Sequence, residues 1–156
     1  MKPCETLKPS VHRATQPQAE TAFALIEEYY EAIGVVVRDD RAALEHYLAS
    51  PDSPIWIARA DGAPAGCVML RPLPQIPHAA EVKRLYVRPA YRNMRLAHAL
   101  MQAVEEYARR EGYGWLYLDS KDDLLAAIRF YLSTGYDPCP RYNDNPQATI
   151  FLRKRL

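Results

Sequence analysis

The stretch AEVKRLYVRPAYRNMRLAHALMQAVEEYARREG, residues 80–112, decides the fold. It reads as a buried strand, a short basic loop and a long helix. Glu81 to Val87 form the strand, and Pro89 stops it, because proline has no N–H to give to a ladder. From Leu96 onward apolar residues recur at Leu96, Leu100, Val104 and Ala108, with Met101 and Tyr107 beside them. That is helical spacing with one face turned to a core. Arg109 and Arg110 occupy the last turn, where the helix dipole favours cations, and Gly112 follows as a left-handed cap. Arg88, Arg92 and Arg95 crowd the turn at which the helix begins. A helix N-terminus already offers unpaired N–H groups and a partial positive charge, so the join is an anion site or, alternatively, a solvated basic loop.

On the N-terminal side, residues 1–9 read as a frayed tail and Ser10 to Ala14 as an edge strand. Thr15 and Gln18 have the spacing of a capping box. Phe23, Ile26, Tyr30 and Ile33 then mark a helix that Gly34 ends. Glu27, Tyr29 and Tyr30 are either substrate contacts or simple packing, and packing is the reading favoured. Asp39 or Asp40 caps a second helix carrying Leu44, Tyr47 and Leu48. Ile55 to Ala60 and Ala65 to Leu70 flank Asp61-Gly62, a pair that supplies the positive φ angles of a tight hairpin. Cys67, in the second of these strands, reads as a small buried hydrophobe. RPLPQIPH, residues 71–78, is a stiff loop.

On the C-terminal side, Tyr113 to Leu118 is apolar on both faces, as a buried parallel neighbour of the central strand must be. Ser120-Lys121-Asp122-Asp123 caps a last helix with Leu124, Ile128, Tyr131 and Leu132 on one stripe, and Gly135 ends it. Tyr136 to Cys139 and Ala148 to Arg153 form a closing pair around PRYNDNP. This order predicts a mixed α/β sheet with helices on both faces.

The 156 residues suit one domain with a real core, and a formal charge of +1 argues against a broad nucleic-acid surface. Three cysteines and four dispersed histidines provide neither a disulfide framework nor a metal site. No apolar run is long enough to span a membrane, and Met1 to Ser10 lacks a secretory pattern. A cytoplasmic protein is expected.

The central stretch resembles the acetyl-CoA-binding segment of the GNAT superfamily of N-acetyltransferases, in which a strand leads through (Gln or Arg)-x-x-Gly-x-(Gly or Ala) into a helix. Here the loop is Arg92-Asn93-Met94-Arg95-Leu96-Ala97. Arg92 and Ala97 match, whereas Arg95 stands where the family has its central glycine and Asn93 where a glycine is common. EVKRLYVRPAYR resembles the family's fourth strand, and IRFYLSTGY, residues 128–136, its final helix. The resemblance implies a single GNAT-like domain over residues 10–156. It implies a mixed, mostly antiparallel sheet of about six to seven strands, about four helices, and a central parallel strand–helix–strand unit. Its two parallel strands would splay apart to admit the cofactor.

Acetyl transfer from a thioester to an amine requires loss of an amine proton, stabilisation of an oxyanion and departure of a thiolate. By resemblance Glu81 is the base and Tyr131 the acid or sulfur ligand, with a backbone N–H near Leu85 for the oxyanion. Leu85, Tyr86 and Val87 would pair with the pantetheine arm. The N–H groups of Arg92, Asn93, Met94, Arg95, Leu96, Ala97 and His98 would hold the pyrophosphate. Tyr142, Asn145 and Asp119 are acceptor contacts, with a plain turn as the alternative for the first two and a helix cap for the third. The expected cosubstrate is acetyl-CoA, with no metal. Among partners the reading expects a small-molecule amine acceptor, no nucleic acid and no membrane, and it admits a homodimer. Two other functions stay open. Arg95 could block the loop and leave a ligand-binding or interaction module, and Arg84, Arg88, Arg92 and Arg95 could form a local nucleic-acid patch.

Overall fold

The decisive stretch folds as a strand, Ala79–Val87, and a helix, Leu96–Arg110. A computed structural model describes residues 7–156 of the chain. In chain order its elements are β1 (Pro9–Arg13), α1 (Ala19–Ile33), α2 (Arg41–Ala49), β2 (Ile55–Ala60), β3 (Ala63–Pro72), β4 (Ala79–Val87), α3 (Leu96–Arg110), β5 (Trp115–Ser120), α4 (Leu125–Ser133), β6 (Asp137–Pro138) and β7 (Ile150–Arg155). The seven strands make one sheet in the order β1-β2-β3-β4-β5-β7-β6. Only β4 and β5 pair in parallel, with α3 as the crossover.

Alternation along the inner strands assigns the helices to the two faces. Trp56 and Ala58 of β2 and Val68 and Leu70 of β3 pack with Leu96, Leu100, Met101, Val104 and Ala108 of α3. Ile55, Ile57, Cys67 and Met69, the residues between them, pack with Phe23, Leu25, Ile26 and Tyr30 of α1 and Leu44 of α2. Both faces are therefore dry, and each fully buried aliphatic side chain stabilises the sheet by about 1.5–3 kcal/mol.

Local signals behave largely as the chain predicts. Gly34 ends α1 with φ 71°, its N–H donating to the Tyr30 carbonyl at 2.9 Å. Asp40 caps α2, accepting from the Ala43 N–H at 2.8 Å. Gln18 reaches back to the Thr15 N–H at 2.8 Å. Asp61 and Gly62 take φ 48° and 81°, the geometry of a twisted hairpin.

Two expectations are corrected, and one residue was overlooked. The first strand starts at Pro9, because Asp61 fastens residue 8: the Lys8 N–H donates to Asp61 Oδ1 at 2.7 Å, and the Asp61 N–H donates back to the Lys8 carbonyl at 2.9 Å. The rest of the expected tail, residues 1–6, lies outside the described residues. Ser120 to Asp123 do not cap α4; its cap position is Leu124, with no side-chain acceptor, and the Asp122 N–H instead donates to Thr149 Oγ1 at 2.9 Å. Gly66 escaped the sequence reading altogether. A Cβ there would run into the Tyr86 carbonyl oxygen and lie 3.3 Å from Val87 Cα, so glycine is what lets β3 approach the end of β4.

Candidate active site

The sheet opens where β4 leaves β5. Their ladder covers only Ala79↔Trp115, Ala80↔Leu116 and Glu81↔Tyr117. Beyond it, β4 carries a bulge: between Cys67↔Tyr86 and Met69↔Lys83, β3 advances two residues and β4 three. The extra residue sits at Arg84, whose φ is 60°. A bulge breaks the ladder and turns the strand. Its backbone is held by the buried Cys67 thiol, which donates to the Arg84 carbonyl at 3.4 Å; burial pushes that thiol's pKa up to about 12. Cys67 is thus the inert, buried residue expected.

Two cavities meet at this opening, sharing Tyr29, Leu85 and Tyr131 in their walls. The larger, about 870 Å³, is a groove along the exit of β4 and the start of α3. It gathers Leu85, Tyr86, Val87, Arg92, Asn93, Arg95, Leu96, Ala97 and His98. Of the residues expected there only Met94 is missing, because it packs against the core. Asn93 and Arg95 have φ 70° and 58°. Arg95, the cap position of α3, therefore adopts the left-handed angle that a glycine takes freely, at about 1–2 kcal/mol for a residue with a Cβ. The first N–H groups of a helix have no intrahelical partner, and Arg95 offers them no side-chain acceptor.

The three arginines of the turn separate. Arg92 and Arg95 line the groove, with Arg92 Nε donating to the Val87 carbonyl at 3.2 Å. Arg88 is withdrawn, pairing with Glu28 at 2.8 Å and donating to the Pro64 carbonyl at 3.0 Å. Arg84 is largely buried against Tyr30 and pairs with Asp39 at 3.3 Å. The proposed nucleic-acid patch thereby loses two of its four cations to internal pairs.

The smaller cavity, about 300 Å³, lies between β4, β5, the end of α1 and the loop at residues 139–149. Asp119 and Asn145 line it, as expected, together with Lys83, Arg84 and Lys121. Asp119 sits inside β5 and caps nothing. Its Oδ2 accepts from Lys83 Nζ at 3.3 Å, Asn143 Nδ2 at 2.6 Å and Asn145 Nδ2 at 3.3 Å. Glu81 and Tyr142 line neither cavity. Glu81 is 8% exposed, and its Oε2 accepts from Tyr142 Oη at 2.7 Å and Asn143 Nδ2 at 3.1 Å, with Lys83 Nζ at 3.3 Å. Lys83 therefore bridges Glu81 to Asp119, and Tyr142 anchors Glu81 where an acceptor contact was expected. Burial, then Glu81 and Asp119, push the Tyr142 phenol up and keep it protonated.

Tyr131 stands where both cavities meet. Burial first, then Tyr29 and Asp119, raise its phenol well above the ordinary range, and its hydroxyl bonds to no protein group among the described residues. The sequence reading missed Lys83 and Lys121 as cavity residues and gave Tyr29 to packing. Lys83 shares a strand face with Glu81, which was a usable signal; Lys121 was hidden inside an apparent cap.

The sequence profile of the Acetyltransferase (GNAT) family matches residues 19–136. The chain belongs to that family. Among its relatives, this GNAT chain is 34% identical over 132 residues to an uncharacterized N-acetyltransferase of Schizosaccharomyces pombe, covering 81% of this chain and 80% of that protein. It is 29% identical over 145 residues to the IAA acetyltransferase of Azospirillum brasilense, covering 90% and 94%. The PaiA N-acetyltransferase of Thermoplasma acidophilum, solved in complex with coenzyme A, superposes with a TM-score of 0.79 at 16% identity, over 96% of this chain and 100% of that one. The seven-stranded sheet with its splayed β4 and β5 is thus the GNAT fold.

Proposed function

We propose that this GNAT chain moves an acetyl group from acetyl-CoA to the primary amine of a small acceptor. The observation that carries the reading is the junction of the two cavities at Leu85 and Tyr131, which would let a thioester in the groove face an amine in the smaller cavity. The groove fits an acyl-coenzyme A: the β4 exit, Leu85 to Val87, offers strand backbone to the pantetheine amides. The opening turn of α3, with Arg92 and Arg95, offers donors and positive charge to the pyrophosphate. Arg95 keeps the loop angle a glycine would take, which favours a working transferase over the interaction module.

In this mechanism the amine nitrogen attacks the thioester carbonyl, the C–S bond breaks and the amine proton leaves. A lysine-like amine has a pKa of about 10.4, so a carboxylate close to it raises the fraction that reacts. Asp119 lines the acceptor cavity and receives that proton, directly or through a water; Glu81, expected as the base, acts behind it by holding Lys83 and Asn143. The bulge at Arg84–Leu85 frees β4 backbone for the oxyanion. Tyr131 is suited to donate a hydrogen bond to the departing sulfur and to keep its proton. The thiolate of a thiol of pKa about 8.5 is a weaker base than a phenolate whose phenol has a pKa of about 10, and burial of Tyr131 widens that gap.

Calorimetric titration with acetyl-CoA, paired with a thermal-shift measurement, tests the reading. Saturable one-to-one binding, a raised melting temperature and amine-dependent release of free thiol are expected. Absence of heat and shift at millimolar acetyl-CoA overturns it.

A further inference from the structure

The acceptor cavity carries more positive charge than its own carboxylates neutralise. Lys83, Arg84 and Lys121 line its roughly 300 Å³ together with Asp119 and Asp144. Lys83 is spent on Glu81 and Asp119, both at 3.3 Å. The other two cations are under-satisfied. Lys121 Nζ has one partner, the Ile33 carbonyl at 3.2 Å, and among the described residues no carboxylate pairs with it. Arg84 has five N–H donors, of which Asp39 takes one at 3.3 Å, longer than the usual ~2.7–2.9 Å of a charge-assisted bond. Its Nε is buried without an acceptor. A buried guanidinium left this poorly paired calls for an explanation beyond packing.

The opposite charge is on Asp119. All three donors to Asp119 converge on Oδ2, and Oδ1 is bonded to nothing among the described residues. The cavity therefore presents one carboxylate oxygen able to take an ammonium and two cations able to take an anion. Ile33, Val35, Val37 and Ala127 add apolar wall, and Ser120, Asn145 and Gln147 add neutral polar groups.

The geometry points to an acceptor that is itself a carboxylate-bearing amine, an α-amino acid or a close analogue. Its amine lies at Asp119 beside the Leu85–Tyr131 junction, and its carboxylate is read by Arg84 and Lys121. This assignment rests on the acetyltransferase reading for what happens next, but the binding it describes is independent of acetyl transfer. The shared protons balance simply. The ammonium gives one proton to Asp119, the neutral amine attacks the acetyl carbonyl, and the C–S bond breaks. The second amine proton ends on the departing thiolate, so coenzyme A leaves as the thiol, Asp119 returns its proton to solvent, and the acceptor's carboxylate stays ionised on its cations throughout.

The test is direct binding, with activity as a second readout. The full chain, free and saturated with coenzyme A, is titrated calorimetrically with the common α-amino acids, their carboxamides and the corresponding decarboxylated amines. At least one amino acid is expected to bind saturably. Its carboxamide and its decarboxylated amine should each bind about tenfold or more weakly, the loss of one charge-assisted contact. Lys121→Ala should weaken the acid about tenfold and narrow its preference over the amide. Coenzyme affinity should not change, since Lys121 lies outside the coenzyme groove. Arg84→Lys retains the charge and serves as the second variant; it should weaken the acid while the chain stays folded, because the planar fork is lost. Equal binding of acid and amide, tighter binding of the plain amine, or no amino acid bound in either state of the protein overturns the assignment. Failure of acetyl-CoA to bind would instead sink the transferase reading, and the amino-acid titrations on the free chain would still decide this one.

Discussion

The two cavities that meet at Leu85 and Tyr131 are built on different principles. In the larger groove one wall is a single stretch of chain, the end of β4, the loop at residues 92–95 and the first turn of α3, with α1 and α4 supplying the rest. The smaller cavity, proposed for the acceptor, is made by α1, β4, β5, α4 and the loop after β6, residues far apart in the chain. A backbone site recognises what its ligands share, such as amides and phosphates. A site of converging side chains recognises what distinguishes one ligand from another. Shape in the first is set by a few φ angles, and selectivity in the second by a few charges.

The strongest way to separate the two is to remove charge from the acceptor side. Asp119→Asn keeps the size of the side chain and is expected to lower kcat/KM about a hundredfold, at the lower end of what a general base contributes. Acetyl-CoA affinity should be unchanged. Glu81→Gln should fall short of that loss, since Glu81 acts through Lys83 and Asn143. Steady-state kinetics over pH, beside a coenzyme titration, checks both variants, and a Glu81→Gln loss larger than that of Asp119→Asn would return the base role to Glu81.

A second variant breaks the backbone side instead. Gly66→Ala forces a Cβ against the Tyr86 carbonyl just where β4 becomes groove wall. Overpacking of this kind costs about 1–3 kcal/mol, read as a lower chemical-denaturation midpoint. Coenzyme binding should weaken with it. Unaltered stability and binding would mean that β3 can move away at no cost.

The smallest effect is expected at Arg95→Gly. Relief of the left-handed angle gains about 1 kcal/mol, and the freer unfolded chain takes back roughly half or more of it. Net stability should change by less than about 1 kcal/mol. Coenzyme affinity should fall several-fold, because a groove cation is lost. Tighter binding would show that the side chain obstructs the groove.

Much of this was legible without coordinates, and the reason is local. Helical spacing from Leu96 to Ala108, the Asp61-Gly62 turn and the stop at Pro89 each depend on residues within one or two turns of one another, so they survive translation into structure. So does the groove loop, whose residues are consecutive. The misreadings came from contacts across the sheet. Ser120 to Asp123 have the composition of a cap, but Thr149 takes the Asp122 N–H and Lys121 turns to Ile33. Arg88 has the position of an anion ligand, but Glu28, on α1, claims it.

By itself, then, the sequence determined the layered α/β sheet and the parallel crossover through α3, because short-range pattern and turn chemistry specify these; the groove at its mouth was implied by the resemblance to the GNAT superfamily. Only the tertiary structure decided that Lys83 joins Glu81 to Asp119, that Tyr142 donates to Glu81, and that Arg84 and Lys121 line a shared cavity. Those outcomes depend on which side chains a splayed sheet brings within about 3 Å of each other, and at that range charge and hydrogen-bond geometry outweigh local propensity.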